Sequence, residues 1–191
     1  MIKESMQQII GRLNDYLNSQ FSNGATFQYV VLSHLSEGNE SIHVNLVNVE
    51  EDKVFKNSMN PPVNNTQGTV NALGGIPVMR LNLYLLFAFN PGDSNQLYEK
   101  ALSLLNAVLR FFHTHKRQEI EVIIDGQQHV CHAKINYHNV SLEDSNNMWS
   151  NLGGTQKPYA MYKLQLLEIL PVELPPQVVK LTQPVVEALD R

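Results

Sequence analysis

His129, Cys131 and His132 are the residues of this chain whose types and spacing come nearest to chemistry. Imidazole nitrogen and thiolate sulfur are zinc ligands, and a cysteine beside a histidine base is the beginning of a nucleophilic pair. The stretch that carries them reads as a strand, where His129 and Cys131 share one face and His132 points to the other. Two same-face ligands with no third make a weak metal site, and a nucleophile also needs a group that orients its base. The structural alternative is a small buried Cys131 with hydrogen-bonded or exposed histidines. His113 and His115 are two apart on a helical stretch and face different ways. Ser150 lies in Trp-Ser-Asn-Leu-Gly rather than in a Gly-x-Ser-x-Gly elbow. Gly74-Gly75 and Gly153-Gly154 lack the spacings of phosphate-binding loops. Glu50-Glu51-Asp52 reads as a solvated acidic turn. No catalytic set, cofactor site or metal site emerges, so the expectation is a protein that is not an enzyme.

Composition narrows the partners. A chain of 191 residues fits one domain. Its apolar share of 43% is that of a soluble globular protein, and a charged share of 17% leaves more uncharged surface than usual for contacts. A net charge of −4 argues against nucleic-acid binding, which needs a basic face to neutralise phosphates. The basic cluster His115-Lys116-Arg117 falls at a helix end, where it complements the helix dipole. A single cysteine excludes an intrachain disulfide and fits a reducing compartment. Met1 to Ser5 run straight into an amphipathic pattern without the features of a signal peptide. The apolar run Leu81 to Phe89 is interrupted by Asn82 and is far short of the ~20 residues of a membrane span. The expectation is a cytoplasmic protein with no membrane or nucleic-acid partner.

The elements follow from periodicity. Ile2, Met6, Ile9, Ile10, Leu13, Leu17 and Phe21 recur at helical spacing, and Gly24 lies just beyond as a left-handed cap. Phe27 to Leu35 and Ile42 to Val47 read as two strands of a hairpin around Ser36-Glu37-Gly38-Asn39. From about Lys56 to Gly75 the chain is polar and broken by Pro61-Pro62 and Asn64-Asn65, a length of loop that tends to be functional. Pro77 to Phe89 is the strongest strand. Met79, Leu81, Leu83, Leu85, Phe87 and Phe89 lie on one face, and Tyr84, Leu86 and Ala88 make the distal part of the other face apolar too, as in a strand covered on both sides or by a partner. A helix over roughly 95–114 follows an N-cap at Asp93 or Ser94. Glu119 to Ile124 is a strand, Asp125-Gly126 a turn signal, and extended chain continues to Val140. Ser141 to Asp144 resembles a capping box and opens a short helix. That helix carries Trp149, the only tryptophan, with Leu152 on the same face to hold it against the sheet, Asn147 and Ser150 to satisfy its ends, and Gly153-Gly154 to stop it. Pro158 to Leu170 is the last strand. The tail beyond Pro171 is proline-punctuated yet apolar, and Val178, Val179 and Leu181 mark it as a segment that packs on something. The fold class is α/β of the α+β type, a single domain over 1–170 with an extension over 171–191. Its sheet is mixed and mostly antiparallel, with two long helices and one short helix packed against it.

Several of these segments together resemble one family. They are Leu81-Asn82-Leu83-Tyr84-Leu85-Leu86-Phe87, the helix Tyr98 to Leu105 running on to Phe111-Phe112, the block Asn147-Met148-Trp149-Ser150-Asn151-Leu152-Gly153, and Pro158 to Lys163. The strand Val44 to Asp52 also fits. Their order and spacing resemble the tube-terminator, or cap, proteins of phage-tail-like extracellular contractile injection systems, which are similar to contractile phage tail terminators. The resemblance implies a ring, generally a hexamer, on the distal end of the inner tube. Such a ring stops tube polymerisation and joins the last sheath ring to the tube without any chemistry. It implies partners in a second copy of the chain, the inner tube protein and the sheath protein. It places assembly in the bacterial cytoplasm and the product in a particle open to release. Pro61, Pro62, Asn64, Asn65, Val178, Val179 and Leu181 are then the expected assembly contacts. Two alternatives stand beside it: a tail-completion or connector protein of a true phage, and a small metal or thiol enzyme built on His129, Cys131 and His132.

Overall fold

A computed structural model describes residues 2–34, 40–52, 78–92, 94–124, 127–152 and 156–169. In chain order these form α1 (Ile2–Phe21), β1 (Val30–Leu32), β2 (Ile42–Glu51), β3 (Val78–Phe89), α2 (Asn95–Thr114), β4 (Arg117–Ile124), β5 (Gln127–Tyr137), α3 (Leu142–Asn151) and β6 (Tyr159–Ile169). The strands make one six-stranded sheet in the order β1-β2-β3-β6-β5-β4. Only the β1–β2 pair is parallel; the other neighbours run antiparallel, so the sheet is mixed as the residue pattern predicts.

The hairpin expected for Phe27 to Val47 does not form. Its first strand shrinks to Val30–Leu32 and runs parallel to β2, with Val30 opposite Ile42. The reason lies on α1. Asn18 gives its amide to the Phe27 carbonyl and takes the Phe27 N–H, at 2.9 and 2.8 Å. One helical turn earlier, Asn14 does the same to Val30, at 2.8 and 2.9 Å. Two helix side chains thus occupy backbone groups that a longer strand would use, and docking on α1 sets the direction of the segment.

The same helix reaches the opposite edge. Gln8 accepts the Glu121 N–H at 3.1 Å and donates its amide to the Glu121 carbonyl, and Arg12 donates to Gln118 at 3.4 Å. Both outer strands are therefore tied to one helix, which draws the sheet around α1 and seals part of each exposed edge.

The main core fills the face toward α1 and α2. From α1 come Met6, Ile9, Ile10, Leu13 and Leu17, all on the predicted stripe. From the sheet come Leu83, Leu85, Phe87 and Phe89 of β3 with Tyr162, Leu164 and Leu166 of β6. Phe87, Phe112 and Tyr162 form a triangle of rings with centroids 4.8–5.5 Å apart. Burial holds the Tyr162 phenol proton on well above its ordinary range. β3 is covered on its other face as well: Leu86 and Ala88 are fully buried there beneath Trp149 of α3. The apolar second face of β3 is thus covered by the chain's own short helix.

Candidate assembly surface

Of the three residues closest to chemistry, the strand separates His132 from Cys131. Cys131 is 7% exposed and lies opposite Ile120 in the core, together with Ala133 and Ile135. His132 is exposed and sits opposite Glu119 on the far face. His129 lies on β5 opposite Val122. Among the described residues no three histidine, cysteine or acidic side chains converge on a metal-sized site. No hydrogen-bonded pair of thiol and imidazole is formed by Cys131 and His132, because alternation sends them to opposite faces.

The tryptophan block is a mixture of inward and outward residues. Ser141 caps α3, accepting the Asp144 N–H at 3.0 Å and donating to the Asp144 carboxylate at 2.7 Å. The short aspartate thus bonds the cap hydroxyl. Trp149 is buried on Leu86 and Ala88 and meets Tyr159 edge-on at 5.6 Å. Tyr159 donates to Ser145 at 2.8 Å, and Ser145 is itself buried. Leu152, expected beside Trp149, is 51% exposed; it caps the helix through its N–H, bonded to the Met148 carbonyl. Asn147 and Ser150 are exposed, and Gly153 lies outside the described residues. Sequence reasoning missed Ser145 and Tyr159, whose only signal is a small polar residue one turn before the tryptophan.

His43 is a second buried group that periodicity hides. It is 1% exposed, opposite Ala88, with Nδ1 2.8 Å from the Ser33 hydroxyl. Its Nε2 and the Trp149 indole N–H both lack a hydrogen-bond partner among the described residues. Desolvation lowers the His43 pKa below its ordinary 6.5, so the ring is neutral near pH 7.

Two surfaces remain. The first is the α3 side of the sheet beyond α3. Arg80, Asn82, Arg117, His132, Lys134 and Gln165 line a concavity of about 840 Å³ there, with Asp52 and Glu119 at its rim. Asn82 is 5% exposed and its Oδ1 has no protein partner. Opposite charges share this trough, which suits a polar partner matched in charge. The second is a groove of about 820 Å³ between α3 and the β1–β2 edge, lined by Leu32, Val44, Leu46, Val47, Met148 and Leu152 among others. The expected contacts Pro61, Pro62, Asn64, Asn65, Val178, Val179 and Leu181 lie outside the described residues. The strands that lead to them end together: Glu51 is opposite Leu81, and Val78 is opposite Ile169. Both segments therefore join the sheet at one pole, beside the trough.

The described residues thus form a mostly antiparallel sheet tied to one helix at both edges, with no three metal-ligating side chains converging. The chain belongs to the Pvc16 N-terminal domain family, whose model matches residues 7–181. Among solved structures it is similar to the PVC sheath/tube terminator of an extracellular contractile injection system in the extended state. That overlay has 13% identity and a TM-score of 0.46, and covers 95% of this chain and 64% of that one. It is similar too to the tube-terminating cap of the anti-feeding prophage, with 14% identity, a TM-score of 0.41, and coverage of 90% and 60%. The chain thus spans less than two thirds of the length of either. No curated protein matches it. The family assignment rests on the family model and not on these overlays.

Proposed function

We propose that this chain is a structural cap. It forms a closed ring on the distal end of the inner tube of a contractile injection particle, stops tube growth, and joins the tube to the last sheath ring. The observation that carries this reading is the family match over residues 7–181. Two placements support it: Cys131 packs in the core, and His132 lies on the opposite face of the strand. The ring is taken to be a hexamer of identical subunits in head-to-tail contact, the arrangement that closes without leaving a free interface. Partners are a second copy, the tube protein and the sheath protein. The cap is added in the bacterial cytoplasm and leaves with the particle. Residues 56–75 and 171–191 supply subunit or sheath contacts, through Pro61, Pro62, Asn64 and Asn65 in one and Val178, Val179 and Leu181 in the other. The trough at the same pole is suited to the tube end, because its mixed charges reward a matched partner and repel a mismatched one.

Electron microscopy of particles from cells lacking this chain, beside complemented cells, tests the reading. Tubes or sheaths of uncontrolled length, or particles that fall apart, are expected. Particles of normal length and integrity without the chain would overturn it.

A further inference from the structure

We infer that the groove between α3 and the free stretch of β2 receives residues 177–183 of a neighbouring copy of this chain, gripped by apolar side chains and not by strand pairing. The inference rests on the ring-forming reading and assigns that ring its contact.

Among the described residues, the groove lies where the sheet edge has no neighbouring strand. The α1 amides cover Val30 on β1 and Glu121 on β4, and β1 pairs with β2 only as far as Val44. Beyond that point Leu46 and Val47 are each 40% exposed, and across the cleft Leu152 is 51% exposed. Among the described residues no Asp, Glu, Lys or Arg lines the groove; Ser33, His34, Asn45 and Asn151 are its polar members beside six apolar ones. An uncharged, largely apolar cleft of this kind marks a protein contact. The β2 backbone, by contrast, is spoiled as a template. The β2–β3 register shifts between Leu46 and Asn48, and the Val49 N–H is taken by the Asn48 side chain at 2.8 Å. A bulge and a self-satisfied N–H are devices that block strand addition. What this edge offers is side-chain area.

The occupant follows from the chain that leaves the sheet. Residues 177–183, Gln-Val-Val-Lys-Leu-Thr-Gln, hold Val178, Val179 and Leu181 with Lys180 as their one charge, between Pro176 and Pro184. The segment's composition matches the groove's. Geometry favours a neighbour's groove over the chain's own. From Ile169, opposite Val78, the chain's own groove lies two strands across, ~10 Å, and about seven residues back along β3 to the level of Leu85 and Leu46, ~23 Å, after a full reversal. Seven residues, the length of 170–176, reach only ~22 Å at polyproline-like spacing, and this stretch of sequence holds Pro171, Pro175 and Pro176. A tail seated in the next subunit's groove is a head-to-tail contact, the kind that closes a ring.

The test is thiol crosslinking with a flexible bismaleimide, on assembled particles and on the purified full chain at high concentration. The variants are Val47→Cys, Val179→Cys, their equimolar mixture, and the double variant; buried Cys131 is controlled by the wild type. Linked pairs from the mixture but from neither single variant, and a ladder of linked subunits from the double variant, are expected. Val47→Asp, at an exposed position that leaves folding intact, should abolish the ladder of Leu152→Cys/Val179→Cys. An internal crosslink within single chains, or no crosslink in either preparation, would overturn the inference. Immunogold labelling of the same particles reads the parent proposal separately, because a chain absent from particle ends refutes the cap whatever the crosslinks show.

Discussion

β3 is buried on both faces, but the two faces are built differently. Toward α1 and α2, Leu83, Leu85, Phe87 and Phe89 share one large core with two long helices and the two flanking strands, so any one contact is backed by many. Toward α3, Leu86 and Ala88 are covered by Trp149, with Met148 and Tyr159 packed alongside. Polar groups surround that small cluster: His43 on one side, and Ser145 with Tyr159 on the other. The first face is a folding core. The second is a clasp, and it leaves the rest of the same face open as a charged trough.

The largest expected effect separates the two faces. Phe112→Ala should cost about 3–5 kcal/mol and lower the midpoint of the whole unfolding transition, because it empties the ring triangle with Phe87 and Tyr162. Trp149→Ala removes as large a side chain but should act locally. Hydrogen exchange is expected to show residues 142–151 opening while β4 and β5 stay protected. Equal loss of protection across the sheet would erase the distinction between core and clasp.

Next in size is Asn14→Ala, which strands the N–H and C=O of Val30 and should cost about 1–3 kcal/mol by chemical denaturation. A smaller cost than Tyr159→Phe would show that α1 does not hold the β1 edge. Tyr159→Phe removes one hydrogen bond to a buried hydroxyl and should cost about 1 kcal/mol, with α3 exchanging faster.

The smallest effect is a pH slope. The His43 pKa is lowered in the folded state by burial, so below the ordinary 6.5 the unfolded chain binds the proton more readily. Its contribution is complete above pH 6.5 and is lost as pH falls from there toward the lowered folded value. Stability measured from pH 7.5 downward should therefore decline more steeply in the wild type than in His43→Gln. Parallel curves would remove His43 from the account.

Periodicity was enough for the helices and the long strands. The stripe from Ile2 to Leu17, the helix to Thr114 and the two apolar faces of β3 stand where the residue pattern put them, because burial of one face dictates spacing. The Ser141 cap was legible for the same local reason. Pairing direction was not. Phe27 to Leu32 has strand composition, but Asn14 and Asn18 on a separate helix decide which backbone groups are free. Leu152 shares a helical spacing with Trp149, yet it is the C-cap of α3 and half of it stays exposed. His43 alternates as an outward residue and is buried because α3 packs on that side.

By itself the sequence determined the element types, the two-sided burial of the central strand, and the family to which the chain belongs. All three are written in local spacing and in order along the chain. Tertiary structure alone decided the parallel β1, the edges tied to α1, the burial of His43, and the groove between α3 and β2 among the described residues. Those depend on which distant residues meet, and spacing along the chain does not encode distance across a fold.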